Sequence, residues 1–303
     1  MSGVAASVRG DGILDNLRVL DLSGPALAYA GRMFADLGAD VILVEPPGGT
    51  ALRSHAPLVR IDAGSAVSAH FAFMAAGKRS IAVDTAIGPG RAVLDRLVAV
   101  SDVALVPDDI DEQRAQGLDP TRLRALNERL VVTSVTGFGN SGPRRHWRSA
   151  DLIGWATSGA MYGIGNPDRP PVAPGGGLAH AAGALNAALG TMLALRARQR
   201  SGNGQAVDIS LQEAVMSVAM EAGPLYALEG QPQARSGPRR LGAHGMFPVK
   251  DGNVELVAFL PTQWDAMAQW ISDELGIEEA TSDAFRGPSA RFEFRELIES
   301  WTF

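Results

Sequence analysis

His180 sits in PGGGLAHAAGALNAALG, residues 174–190, and is one of five histidines in a chain of 303 residues. An imidazole takes or gives a proton near neutral pH, so His180 is a candidate general base. Gly175, Gly176 and Gly177 precede it and allow the backbone to approach a ligand closely. Ala181, Ala182, Gly183, Ala184, Ala187, Ala188 and Gly190 follow it and leave little side-chain bulk, so another helix or a ligand can come near. The plainer reading is a structural histidine. A second group is basic. Arg144, Arg145 and Arg148 follow the loop GFGNSGP of residues 137–143, and guanidinium groups placed there suit phosphates. Its plainer reading is a solvated charged loop. No spacing of His, Asp and Glu reads as a metal site, and His55, His70, His146 and His244 receive no role.

The elements that must position these residues follow from periodicity. Arg18–Leu22 reads as a strand, 26–37 as a helix stopped near Gly38, and Asp40–Val44 as a second apolar strand. That is a βαβ unit, which favours a parallel sheet. Strands at Arg79–Val83, Val103–Val106 and Leu130–Val135 alternate with helices at 88–100 and 119–128. Runs apolar on both faces belong to a sheet covered on both sides, so residues 1–150 read as a Rossmann-like α/β layer structure. Beyond them, 151–163 reads as a helix, 178–200 as a long helix ending in arginines, Gln205–Ile209 as a strand and 211–229 as a helix. Asp251-Gly252 lies between two strand-like runs and signals a hairpin. The expected domains are a large one over 1–231, a Gly/Pro/Arg-rich linker over 232–245 and an incomplete small domain over 246–303.

Composition narrows the classes. A net charge of −6 argues against a general nucleic-acid binder. The absence of cysteine excludes disulfides, thiolate metal sites and a cysteine nucleophile, and fits a cytoplasmic location. No apolar run reaches the roughly 20 residues that span a bilayer, so no membrane partner is expected. The loop Ser23-Gly-Pro-Ala after the first strand lacks a dinucleotide fingerprint.

Six ordered segments carry a resemblance. They are Leu17–Leu22, ADLGADVILVEPP (35–47), GKRSIAVD (77–84), TGFGNSGP (136–143), the helix start with Asp151, Ser158 and Gly159, and RQRSGNGQAVD (198–208). The chain resembles the family III CoA-transferases, a group that includes formyl-CoA transferase, carnitine CoA-transferase and α-methylacyl-CoA racemase. The resemblance implies a large Rossmann-like domain with a smaller second domain, two subunits threaded as interlocked rings, and coenzyme A as a substrate rather than a covalent cofactor. The expected partners are acyl-CoA or CoA and a second subunit, in a homodimer or in a heterodimer with a paralogous chain. Family members run about a hundred residues longer, so the chain is expected to be truncated at its C-terminus.

The resemblance also implies a departure. In the family's transferases an aspartate attacks the acyl-CoA thioester and then carries CoA as a thioester of its own. Ungapped registration from the Ser201-Gly-Asn-Gly motif puts that aspartate at His180. Imidazole cannot become a CoA thioester, so the usual route is closed at this position. The racemase branch uses a His/Asp pair, and its histidine position is Ala150 here, while Asp151 remains and could orient His180. By the same resemblance Val83 holds an adenine-side apolar position and Arg148 a basic one. Ala86 and Ala115 replace a lysine and an arginine, with Arg114 adjacent to the latter, and Val106-Pro107-Asp108 replaces "ENF". The resulting expectation is a CoA-transferase-like protein acting on acyl-CoA thioesters, with His180 and Asp151 as catalytic candidates and Val83, Arg148, Arg144 and Arg114 as CoA-binding candidates. Its alternatives are a non-catalytic subunit of a heteromeric CoA-transferase, or an acyl-CoA racemase, isomerase or lyase with His180 as base.

Overall fold

The structure is a computed structural model that describes residues 12–62, 64–219, 222–230, 235, 245–258, 260–276 and 298. In chain order the elements begin with β1 (Arg18–Asp21), α1 (Pro25–Asp36), β2 (Asp40–Glu45) and a 3₁₀ turn (Ala51–Ser54). They continue with β3 (Leu58–Arg60), β4 (Ala66–Ser68), α2 (Ala69–Met74), β5 (Arg79–Ala82), α3 (Gly88–Ala99), β6 (Val103–Leu105), α4 (Ile110–Ala115), α5 (Pro120–Leu126) and β7 (Val131–Thr136). After these come α6 (Asp151–Thr157), a 3₁₀ turn (Ala160–Gly163), α7 (Leu178–Ser201), β8 (Ala206–Ser210), α8 (Leu211–Val218), α9 (Ala222–Glu229), β9 (Gly245–Val249), β10 (Gly252–Leu256) and α10 (Pro261–Leu275).

β5, β2, β1, β6, β7 and β8 pair in that order, and every pairing is parallel. The chain winds outward from β1 on one side and from β6 on the other. The strand order therefore reverses between β1 and β6, the point at which doubly wound sheets open a crevice beyond their strand ends. Leu20, Ile42, Ala104, Val106 and Val132 pack on one face against Leu94 and Val98 of α3, Leu118 and Leu123. α7 covers β7 and β8 on the other face, and α1 packs against α7. The small residues read from the sequence make this close approach possible. A Cβ built on Gly183 would lie 2.9 Å from Cγ1 of Val135, and one on Gly190 2.9 Å from Cγ1 of Val207. α7 is thus pressed onto the sheet by what it lacks, and it is also the one helix among the described residues long and apolar enough to cross a bilayer.

The expected strands and hairpin are observed to within a residue or two at their ends. Two expected helices are each split. The 151–163 segment breaks after Ser158, because Gly159 adopts φ +81°, a left-handed conformation that an α-helix cannot continue. The 211–229 segment is interrupted after Val218, where Ala219 leaves helical geometry at ψ 56°. Residues 51–74, unassigned in sequence, hold the first 3₁₀ turn, the β3–β4 hairpin and α2. α4 was also unassigned, and it starts where the Asp109 carboxylate accepts from the N–H groups of Asp111 and Glu112.

The chain divides into two compact units, Met1–Ala160 with Ala173–Met220, and Met161–Val172 with Glu221–Phe303. In the second unit the β9–β10 hairpin and α10 share a core of Phe247, Ala258, Ala268, Ile271 and Ile298. The expected boundary at 231–232, the linker over 232–245 except for residues 235 and 245, and the helical pattern at 291–301 except for Ile298 lie outside the described residues.

Candidate active site

Because the six strands run in one direction, their C-terminal ends converge. Two cavities of the first unit lie there. The first, of about 480 Å³, is lined by His180, Arg148, Trp147, His146, Ser149, Thr136 and a wall of carboxylates from Asp108, Asp109, Asp111 and Glu112. The second, of about 470 Å³, lies at the strand-order reversal between Leu22-Ser23-Gly24 after β1 and Pro107-Asp108 after β6, with Val83, Ala86, Arg91 and Ala115 in its lining. Asp108 and Glu112 line both, so the two cavities adjoin.

His180 is in the first turn of α7. Oδ1 of Asp151 accepts from the backbone N–H of Ala179 at 2.9 Å and of His180 at 3.2 Å. Asp151 therefore caps α7 from the start of α6 and fixes the His180 backbone; this contact is with the main chain, not with the imidazole. His180 is within electrostatic reach of His70. The His55 and His70 rings lie 5.0 Å apart. Burial, and then the charges of His55 and His180, push the His70 imidazole below its ordinary value.

The four CoA-binding candidates separate. Val83 is in the wall of the second cavity, beside Ala86 and Ala115, the two positions at which the family resemblance implied a lysine and an arginine. Arg148 is in the wall of the first. Arg144 is in the lining of neither cavity; its guanidinium carbon is 5.2 Å from the ring centroid of Trp147, a lining residue of the first, and Trp147 meets Phe138 edge-on at 5.6 Å. Arg114, in the last turn of α4, is in the lining of neither cavity. Several lining residues had no signal in sequence. His146 pairs with Asp111 at 2.9 Å across 35 residues of chain, and Arg91 enters the second cavity from α3. The start of α4 was legible in principle, since Asp109 before an Ile-led segment is an N-cap signature, and it would have predicted the acidic wall.

Glu45 ends β2 at the second cavity, nearly excluded from solvent, and carries a network that shapes it. Its oxygens accept from Arg53 Nε and Nη2, both at 2.7 Å, from Ser80 Oγ and from the Thr50 N–H at 3.0 Å. The Arg53 hydrogen bonds, opposed by burial and helped by Ser80 and Thr50, hold the Glu45 carboxyl down at about 2 against an ordinary value of 4.5. A carboxyl depressed in the folded state contributes stability that is complete above its unfolded value and is lost as pH falls toward its folded one. Urea midpoints of the wild type are therefore expected to fall between pH 4.5 and 2. Arg53→Ala is expected to flatten that portion of the profile and to cost about 1–3 kcal/mol at pH 7. A variant profile parallel to the wild type's would contradict the assignment.

Comparison with known proteins agrees with this arrangement. The family model described as CoA-transferase family III matches residues 14–302. Succinyl-CoA:(R)-benzylsuccinate CoA-transferase subunit BbsE of Thauera aromatica is 35% identical over 265 residues, covering 86% of this chain and 64% of that protein. Succinyl-CoA–D-citramalate CoA-transferase of Chloroflexus aurantiacus is 35% identical over 305 residues, covering 95% of this chain and 72% of that one. The chain thus spans about two thirds of the length of these relatives. Among solved structures, a CAIB/BAIF family protein from Brucella suis superposes with a TM-score of 0.84 at 29% identity, over 97% of this chain and 78% of the other. Sheet order, the crevice at the strand-order reversal and a family match running almost from end to end agree on one conclusion: the chain belongs to CoA-transferase family III.

Proposed function

We propose that this chain binds acyl-CoA thioesters along the two adjoining cavities, with the nucleotide toward Val83 and the thioester toward His180. The observation that carries this reading is the shared Asp108–Glu112 wall, which makes one path of two cavities, each near 500 Å³ in size. A path of that kind suits a long ligand with a nucleotide at one end and a reacting group at the other. Imidazole at position 180 can move a proton and cannot be carried through a CoA thioester. We therefore place the chain among proteins that hold or proton-transfer the thioester rather than among those that exchange CoA through an acylated side chain.

One reading of its biological role is favoured by two further observations. Its relatives include subunit BbsE of succinyl-CoA:(R)-benzylsuccinate CoA-transferase and the alpha subunit of succinyl-CoA–L-malate CoA-transferase of Chloroflexus aurantiacus. α7 also exposes Leu185, Leu189, Met192 and Leu193 along one side, more apolar surface than a lone helix face needs. A second subunit that supplies the acylatable carboxylate would explain both. The second reading, proton abstraction by His180 next to the thioester carbonyl, is supported by the imidazole lining the cavity.

Calorimetric titration of CoA and of succinyl-CoA into the purified chain tests the binding claim. Saturable binding is expected, and its absence up to millimolar ligand would overturn it.

A further inference from the structure

Thr136 is the last residue of β7 and is 3% exposed. Its Oγ1 is buried and has no hydrogen-bond partner among the described residues, although Thr136 is in the wall of the His180 cavity. A buried hydroxyl without a partner is costly, and native proteins seldom leave one unless something outside the chain completes it.

Side chains alternate along a strand, so Thr133 and Val135 share one face while Val132, Ser134 and Thr136 share the other. The first face meets α7. Thr133 Oγ1 lies 2.7 Å from Thr191 Oγ1, and Val135 packs where Gly183 leaves room. As α7 advances from Gly183 to Thr191, its partners retreat from Val135 to Thr133, so it runs back along β7. Its first turn, with His180, therefore stands over the strand's C-terminal end. On the second face Val132 joins the core with α3 and α5, and Ser134 Oγ accepts from Asn140 Nδ2 at 2.7 Å. Each of the two preceding hydroxyls of β7 thus has a partner. The third, at the strand end, does not, and Thr136 is among the residues that line the cavity with His180, Asp108 and Glu112.

From this geometry we infer that Thr136 Oγ1 is a hydrogen-bonding anchor for the amide-bearing pantetheine arm of a bound CoA thioester, at the point where the arm crosses the end of β7 between the shared carboxylate wall and His180. The inference rests on the path proposed above. A secondary amide offers a carbonyl that can accept from the hydroxyl and an N–H that can donate to it, and the arm carries two such amides.

The test compares wild type, Thr136→Val and Thr136→Ser by calorimetry with two probes, CoA and adenosine 3′,5′-bisphosphate, which is CoA's nucleotide end without the arm. Thr136→Val keeps the shape and removes the hydroxyl. It is expected to weaken CoA about tenfold, to leave the bisphosphate unchanged and to leave the ligand-free protein as stable as wild type or more so. Thr136→Ser is expected to restore CoA affinity to within about twofold. CoA binding by Thr136→Val equal to wild type would overturn the inference and assign the hydroxyl a water molecule instead. Equal weakening of both probes would also overturn it, since the effect would then lie in the nucleotide end or the fold. Failure of the wild type to bind CoA at all would remove the proposed path as well, so the two failures are distinguishable.

Discussion

His180→Asp is expected to raise transfer of CoA from succinyl-CoA to a free carboxylic acid by on the order of a hundredfold or more, the scale attached to one positioned catalytic side chain. The reason is covalent. A carboxylate attacks the thioester to give a mixed anhydride and free CoA thiolate; the thiolate then attacks the side-chain carbonyl, expels the donor as its free carboxylate and leaves CoA on the side chain as a new thioester, whereas an acylated imidazole has no such second state. The substitution should be well tolerated. Position 180 is in the first turn of a 24-residue helix, where a negative side chain is favoured by the helix dipole. Two measurements check the result: the rate of acid-dependent CoA transfer, and a CoA-sized mass increase on the peptide that contains position 180. If the variant stays as slow as the wild type and forms no adduct, the imidazole is not what separates this chain from its exchanging relatives.

Lys78→Met is expected to cost about 3–5 kcal/mol of folding stability, the range for breaking a buried ion pair on one side. Lys78 and Asp21 are 2% and 1% exposed, and Lys78 Nζ lies 2.6 Å from Asp21 Oδ2 and 2.8 Å from the Ala28 carbonyl. Without the ammonium, Asp21 keeps only its bonds from Ser23 in the core of the sheet. The same carboxylate sets the turn that brings Ser23 and Gly24 into the wall of the second cavity, so CoA affinity is expected to fall with stability. Denaturant unfolding of Lys78→Met, and of Asp21→Leu with Lys78→Met together, checks the cause. The double variant should recover much of the loss because it leaves no unpaired charge. A single-variant loss below about 1 kcal/mol would mean that the pair is not bearing the stress assigned to it. The GKRSIAV stretch, one of the six carriers of the family resemblance, thus has at least one residue whose part is structural. Its lysine holds β1 and α1 together and contacts no cavity.

The chain's local order was largely written in its residues. Strands β1, β2, β5, β6, β7 and β8 came from apolar runs, α7 from a long small-residue stretch with basic residues at its end, and the hairpin from Asp251-Gly252, because each depends on neighbours close in sequence. The expectation that an imidazole stands where the family's transferases keep an acid was likewise read from order along the chain. What sequence could not supply were meetings between residues far apart. Asp151 was expected near His180, and packing decided which atom it serves, the backbone N–H groups at the head of α7. His70 and His146, unassigned in sequence, are brought within reach of His180 and into the cavity wall by a short helix and a loop whose periodicity is too brief to read. The acidic wall and the unpartnered Thr136 hydroxyl exist only because six parallel strands end side by side, which no window along the chain contains. Covalent order fixed which chemistry position 180 can perform, and the convergence of distant strand ends decided which groups surround it. The first is a property of one side chain, the second of a lining that runs from Ala26 to Leu211, 185 positions apart.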